Sequence, residues 1–293
     1  MNFGAFLSGC VARKARDVGV FAISPADRLG SLFYALVGTD WVRYSVEVDW
    51  AAVGMAANHY AGEKDLVVVA IGSEGDWWEM SPGGPVQRTG RIADDLAGVT
   101  RVARIDGEIW LCGMGRIAWA RDAGGQWRDV SAPPGRPDQG VVGFTALGDL
   151  GGGRVVAAGW RGEIWSRDAS GWHLEDCGSN ANFNALSVSD AGHVVVVGDR
   201  GAIVEGGPGQ WQPHSTGASF NLQGVCHFEG QVFVCSDFEI FLWKDGKLVR
   251  ETRFDGGDRP ATCMNLLPGA GTVLSQGERD VFRFDGVRWS RVI

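Results

Sequence analysis

No stretch of this 293-residue chain approaches the ~20 consecutive apolar residues of a membrane-spanning helix. No two cysteines are spaced C-x-x-C, so neither a zinc knuckle nor a thioredoxin-type redox pair is encoded. Basic residues are in the minority. The 27 Lys and Arg against 35 Asp and Glu give a formal charge of −8, which argues against nucleic acid or an anionic membrane as the main partner. The five histidines, His59, His173, His193, His214 and His227, are scattered singly, none at ligand spacing from another His, Cys or acid. There is no G-x-S-x-G nucleophile elbow and no complete G-x-G-x-x-G dinucleotide fingerprint. Apolar residues at i, i+3, i+4, i+7 are not sustained anywhere, so helices are not expected. No cofactor and no metal is expected.

What the chain has instead is glycine and tryptophan. Its 45 glycines are about twice the usual ~7% share and follow no Gly-x-y period, and 13 tryptophans accompany them. Many glycines, many aromatics and 45% apolar residues indicate numerous short strands joined by tight turns around a real core. The six cysteines, Cys10, Cys112, Cys177, Cys226, Cys235 and Cys263, fall mostly in strand-like stretches such as "IWLCG" and "VFVCS" and read as buried thiols. "LSGC" at Leu7 to Cys10 has the look of a lipoprotein cleavage box. But "MNFGAF" carries no Lys or Arg, and the apolar stretch is shorter than the ~7–15 residues of a signal. It reads as a first strand, and the protein is expected to be cytoplasmic.

The stretch "VVVVGDRGAIVEGG", from Val194, alone suggests half of a nucleotide site. Its copies overturn that reading. Four apolar residues followed by a glycine turn and another apolar run recur as "VVVAIGSEGDWW", "IWLCGMGRIAW", "VVAAGWRGEIW", "VFVCSDFEIFLW" and "TVLSQGERDVF". The anchors are Gly72, Gly113, Gly159, Gly198, Ser236 and Gly277, each about 40 residues after the last. Trp127, Trp172, Trp211 and Trp289 follow short turns on the same beat, with Leu248 standing in for one of them. Phe144, Phe183 and Phe220 precede three of the apolar runs and read as equivalent positions, with Asn182, Asn184 and Asn221 beside them to cap turns or face a ligand.

A unit of about 40 residues holding four strands is the signature of a β-propeller blade. The expected fold class is all-β, a seven-bladed propeller of four-stranded antiparallel blades in a single domain, 1–293. The blades fall near 1–48, 49–96, 97–138, 139–179, 180–217, 218–256 and 257–293. The first unit has "SPADRLG" where the others have the glycine turn, so six blades plus an N-terminal extension is the alternative. The mode of ring closure stays open.

The turn "RDAGGQW", with Asp122 and Trp127, resembles the Asp-box of sialidase and BNR-type propellers, although Ala120 stands where that group has Ser or Thr. "SRDASGW", ending at Trp172, is one residue shorter. The repeat style "VVVVGDRGAIVEGG…W" is similar to that of the Ycf48-like photosystem assembly propellers. The resemblance implies the fold across all seven units. For function it implies an enzyme, a chaperone or a binding platform. A sialidase needs a tyrosine nucleophile, and Tyr34, Tyr44 and Tyr60 all lie in the first two units, without the late-blade Tyr and Glu of that group.

In a propeller, the turn between a blade's second and third strands and the connection to the next blade share one face. On that face the reading places Arg161, Arg200 and Arg279 at one turn position, Arg116 close by, and Trp160, Phe238 and Trp50 as aromatic company. Arg and Trp are frequent binding anchors. The expected function is a non-enzymatic platform, monomeric on its own, that grips a protein partner through this face. An immunity protein that plugs a cognate bacterial toxin is the first reading. An assembly factor of the Ycf48-like type and a carbohydrate-binding or sialidase-like hydrolase are the alternatives.

Overall fold

The computed structural model describes residues 4–11, 18–25, 27–58, 67–80, 87–135, 140–269 and 271–293. They form seven four-stranded antiparallel sheets, each with its strands in consecutive order. The blades therefore consist of contiguous chain, spanning 6–48, 52–91, 99–129, 144–175, 183–215, 222–250 and 265–291. The first strand of every blade lies innermost and packs beside the first strand of the next. The ring closes between blade 7 and blade 1, where the Phe6 N–H donates to the Glu278 carbonyl at 2.8 Å. The six-blade alternative is thereby corrected. "SPADRLG" is only a longer second-to-third connection in a complete first blade. His59 and Tyr60 lie outside the described residues.

Strand composition follows position in the ring. The second strands, such as Val67–Gly72 and Val194–Gly198, are buried along their whole length because a neighbouring sheet covers each face. Such strands read as continuous apolar runs. The outermost strand Asp40–Val48 has no residue that is fully buried. Seven apolar clusters fill the seven gaps between blades. Tryptophans wedge into these gaps and fasten their N–H to the preceding blade. Trp172 Nε1 donates to the Val130 carbonyl at 2.7 Å, Trp211 to Glu175 at 3.1 Å and Trp243 to Glu205 at 3.2 Å. All six cysteines are buried free thiols. Burial pushes those of Cys10, Cys112 and Cys263 up to about 12, so they act as small apolar groups rather than nucleophiles.

The anchor glycines serve close approach. Gly159 and Gly198 are extended, at φ −166° in both, a conformation any residue adopts. But a methyl group on Gly198 would sit 2.1 Å from the Asn182 carbonyl oxygen, and one on Gly159 would sit 1.8 Å from that of Gly143. Those carbonyls accept the Asp199 and Trp160 N–H, so backbone meets backbone where a blade's inner strand begins. Gly198→Ala is expected to cost about 1–3 kcal/mol by forcing the two segments apart, read as a lower denaturant midpoint at unchanged slope.

One bulge recurs. In blades 1 to 6 the pairing of first and second strands slips at the start of the inner strand. Each slip frees one residue, and the six are Leu7, Val53, Thr100, Thr145, Asn184 and Gln223. A bulge re-aims a side chain, and all six line the mouth of the central channel. Three also stitch the blades together. Thr100 Oγ1 donates to the Phe144 carbonyl and Thr145 Oγ1 to that of Phe183, both at 2.7 Å. Asn184 Nδ2 donates to the Leu222 carbonyl at 3.0 Å.

Candidate partner-binding face

Antiparallel blades of four strands put the second-to-third turns and the blade-to-blade connections at one end of the ring. Among the described residues, the exposed large aromatics Trp160, Phe220 and Phe238 all lie in these loops, as do the exposed Leu29, Val141 and Met264. Phe238 is 66% exposed at the tip of its turn. Phe220 stacks on Phe241 at 5.6 Å, which holds it in place while leaving it open to solvent.

Arg161 and Arg200 are structural equivalents. Each is the middle residue of a three-residue turn and sits in the left-handed region, at φ 62°, ψ 29° and φ 53°, ψ 40°. That region costs an ordinary residue roughly 1–2 kcal/mol. The strain is held by the next blade: the Arg161 N–H donates to Asn182 Oδ1 and the Arg200 N–H to Asn221 Oδ1, both at 3.0 Å. Asn182 and Asn221 are therefore turn caps. Asn184 donates to Asp199 Oδ1 at 3.3 Å, and Asn182 to Asp199 Oδ2 at 3.1 Å, so the acid beside Arg200 is tied to asparagines. Both arginine side chains are exposed.

The structure corrects three sequence expectations. Arg279 does not share the position of Arg161 and Arg200. Its turn has two residues, closed by the Gly277 N–H to the Asp280 carbonyl, and Arg279 is not left-handed. It is nevertheless exposed on the same face, with Glu278 as its ion-pair partner among the described residues at 4.0 Å. Arg116 leaves the exposed set altogether. In "GMGRI" the left-handed middle position is Gly115, and Arg116 takes the place that buried Gly162 and Gly201 hold in blades 4 and 5. That place points toward the next blade. Arg116 forms a two-pronged ion pair with Glu163 at 2.5 and 2.7 Å, donates to the Pro133 carbonyl and lies over the Trp165 ring at 5.0 Å. It is a clamp between blades 3 and 4. Finally, Phe220 is not equivalent to the buried Phe144 and Phe183, because Leu222 occupies that place. Trp50 packs against the blade 1–2 core and over Gly72.

The face is mixed in charge, with exposed Asp176, Asp258 and Glu278 in the loops of blades 4 to 7. Blades 4 to 7 present Trp160, Arg161, Arg200, Phe220, Phe238, Met264 and Arg279. The blade 2 side presents exposed Glu74, Asp94 and Asp95. Sequence reasoning found the arginines and two of the aromatics but missed Met264 and most of the acidic residues. Exposure in a long connection leaves no periodic mark.

Tyr34 and Tyr44 belong to strands of blade 1, and Tyr44 has its hydroxyl pushed up to about 12 by burial and by Cys10. No group of three or more His, Cys, Asp or Glu placed to hold a metal occurs among the described residues.

The fold and face now have relatives to be set beside. The chain is similar to the immune protein Tsi7 of Pseudomonas aeruginosa, with 29% identity over 250 residues, 83% of this chain and 80% of that protein. No family model matches. Among solved structures, YCF48 bound to D1 peptide superimposes with a TM-score of 0.70 at 13% identity, covering 96% of this chain and 91% of that one. YCF48 from Cyanidioschyzon merolae gives 0.70 at 11% identity, covering 96% of this chain and 95% of that one. The WD40 β-propeller domain of Doa1 gives 0.70 at 11% identity, covering 96% and 92%. These structures share the propeller fold.

Proposed function

We propose that this protein is an immunity protein, a non-enzymatic propeller that neutralises a cognate toxin by holding it on the loop face of blades 4 to 7. The similarity to an immune protein over most of the chain supports the role. The observation that carries the face is the pair of left-handed arginines that are also exposed, unlike Arg116, which is left-handed at φ 64° but buried against Glu163. Strained backbone persists where the surroundings enforce it, and such outliers cluster at functional sites. Here two asparagines of neighbouring blades hold two exposed arginines in a costly conformation next to the exposed aromatics. Nothing in the packing requires arginine at those positions, because glycine would fit the same turn without strain.

A rigid platform suits the task. Loops set on a closed ring lose little entropy on binding, and aromatic and arginine anchors supply most of the energy of such interfaces. The partner surface that fits has acidic groups beside apolar recesses, and the acidic residues of the face would set its orientation. The six buried free thiols suit a reducing compartment, so we place the action in the cytoplasm.

The test is co-expression with the product of the adjacent reading frame. That product alone is expected to arrest growth. With this chain present, growth is expected to resume and a stable complex to co-purify. Arrest that persists despite full expression of the chain would refute the reading.

A further inference from the structure

The central channel is blocked by a guanidinium. Arg101, on the innermost strand of blade 3, reaches across the axis. Its Nε donates to the Thr145 carbonyl at 3.3 Å, Nη2 to the Asn184 carbonyl at 3.3 Å and Nη1 to Asn265 Oδ1 at 3.0 Å. These partners belong to blades 4, 5 and 7. Every one is neutral, and no carboxylate among the described residues lies within ion-pair distance of this charge. A guanidinium has five N–H donors, so two remain without an acceptor among the described residues.

Above Arg101 the channel opens as a recess of about 330 Å³. Its wall consists of the six bulge residues together with Phe6, Met264 and Asn265. The lining has two halves. Phe6, Leu7 and Val53 make one side apolar, while Thr100, Thr145, Asn184, Gln223 and Asn265 make the other polar. Among the described residues, no acidic one lines it. Because Asn265 uses its oxygen to accept from Arg101, its NH2 is left as a further donor to the recess. Arg101 lies deep in the ring yet keeps part of its surface open to the channel. A desolvated charge without a counter-charge is costly, and bulges recur where a chain must aim side chains at a ligand.

We propose that the channel mouth is a binding site for a carboxylate carried on a short aliphatic group, with Arg101 and Asn265 as its donors. The carboxylate supplies the missing counter-charge, and the Phe6, Leu7 and Val53 side takes the methylenes. Two sources offer this chemistry: a free small acid, or an acidic side chain of a protein docked on the loop face. The site itself does not depend on the toxin reading; only the choice of source does.

Glutarate is the probe, titrated against the purified chain at constant ionic strength, with chloride as the control. Saturable heat of binding and a rise in Tm are expected for the wild type. Arg101→Gln is expected to weaken binding at least about tenfold, since charge-assisted hydrogen bonds to carboxylate are roughly twice as strong as neutral ones. Should Arg101→Gln fail to fold, Val53→Phe tests the same site by filling the recess from its apolar side, and it too should weaken binding at least about tenfold. If glutarate competes with the toxin, the site receives a partner side chain; if both bind together, it receives a free acid. No saturable glutarate binding, or equal binding by the wild type and the folded variants, overturns the proposal.

Discussion

Reversing the charge at Arg161, Arg200 and Arg279 together is expected to weaken toxin binding by about 100- to 1000-fold, or roughly 3–4 kcal/mol. Thermal stability should stay nearly unchanged. All three side chains are exposed, and substitutions at such positions usually fall within about ±0.5 kcal/mol. A second set sharpens the result. Arg161→Gly and Arg200→Gly remove the side chain but keep the N–H that donates to Asn182 or Asn221. They also relieve the left-handed backbone. Each is expected to hold or slightly raise Tm while slowing capture of the toxin and flattening its salt dependence. Binding constants by surface plasmon resonance, paired with melting curves, decide the matter. An unchanged dissociation constant would remove blades 4 to 7 as the docking face. A loss of affinity that tracks a falling Tm would make the arginines structural instead.

Much of this architecture was legible in the sequence because propeller blades repeat. The glycine turn, the buried second strand and the wedge tryptophan recur at fixed spacing, so each copy supports the others. Legibility ended where copies differ by one residue. "GWRGE" and "GDRGA" place arginine at the left-handed position. "GMGRI" places glycine there and moves Arg116 one step on, into the gap between blades. "GERD" drops a residue and leaves Arg279 in a shorter turn. On the page the three look like one motif; in the ring they face different ways. Phe220 shows the same effect, since two residues of offset put it outside while Phe183 is inside. Arg101 was invisible for another reason. Its neighbours Thr145, Asn184 and Asn265 come from three other blades, and only closure of the ring brings them together.

Stability should depend most on a charge that never reaches solvent. Arg121 and Glu79 form an ion pair between blades 3 and 2, with both side chains 2% exposed. The guanidinium lies over Trp77 at 4.4 Å and Trp127 at 5.8 Å and donates to the Gly125 carbonyl at 3.2 Å. Arg121→Leu removes the cation and strands a buried carboxylate, with Arg88 at 3.7 Å as a weak, largely solvated substitute. Breaking one side of such a pair costs about 3–5 kcal/mol. Replacing both partners, as Arg121→Leu with Glu79→Leu, should recover much of that loss, because an apolar pair avoids desolvating two charges. Chemical denaturation of the two single variants and the double variant closes the cycle. Equal losses from the single and double variants would mean that the aromatic sandwich, rather than the charge pair, holds the interface. The pair sits between blades 2 and 3, away from the arginine and aromatic side of the face. Arg121→Leu should therefore leave toxin affinity unchanged below its melting range, the reverse of what is expected for Arg161 and Arg200. Opposite outcomes at the two sites would separate what keeps the ring closed from what it holds.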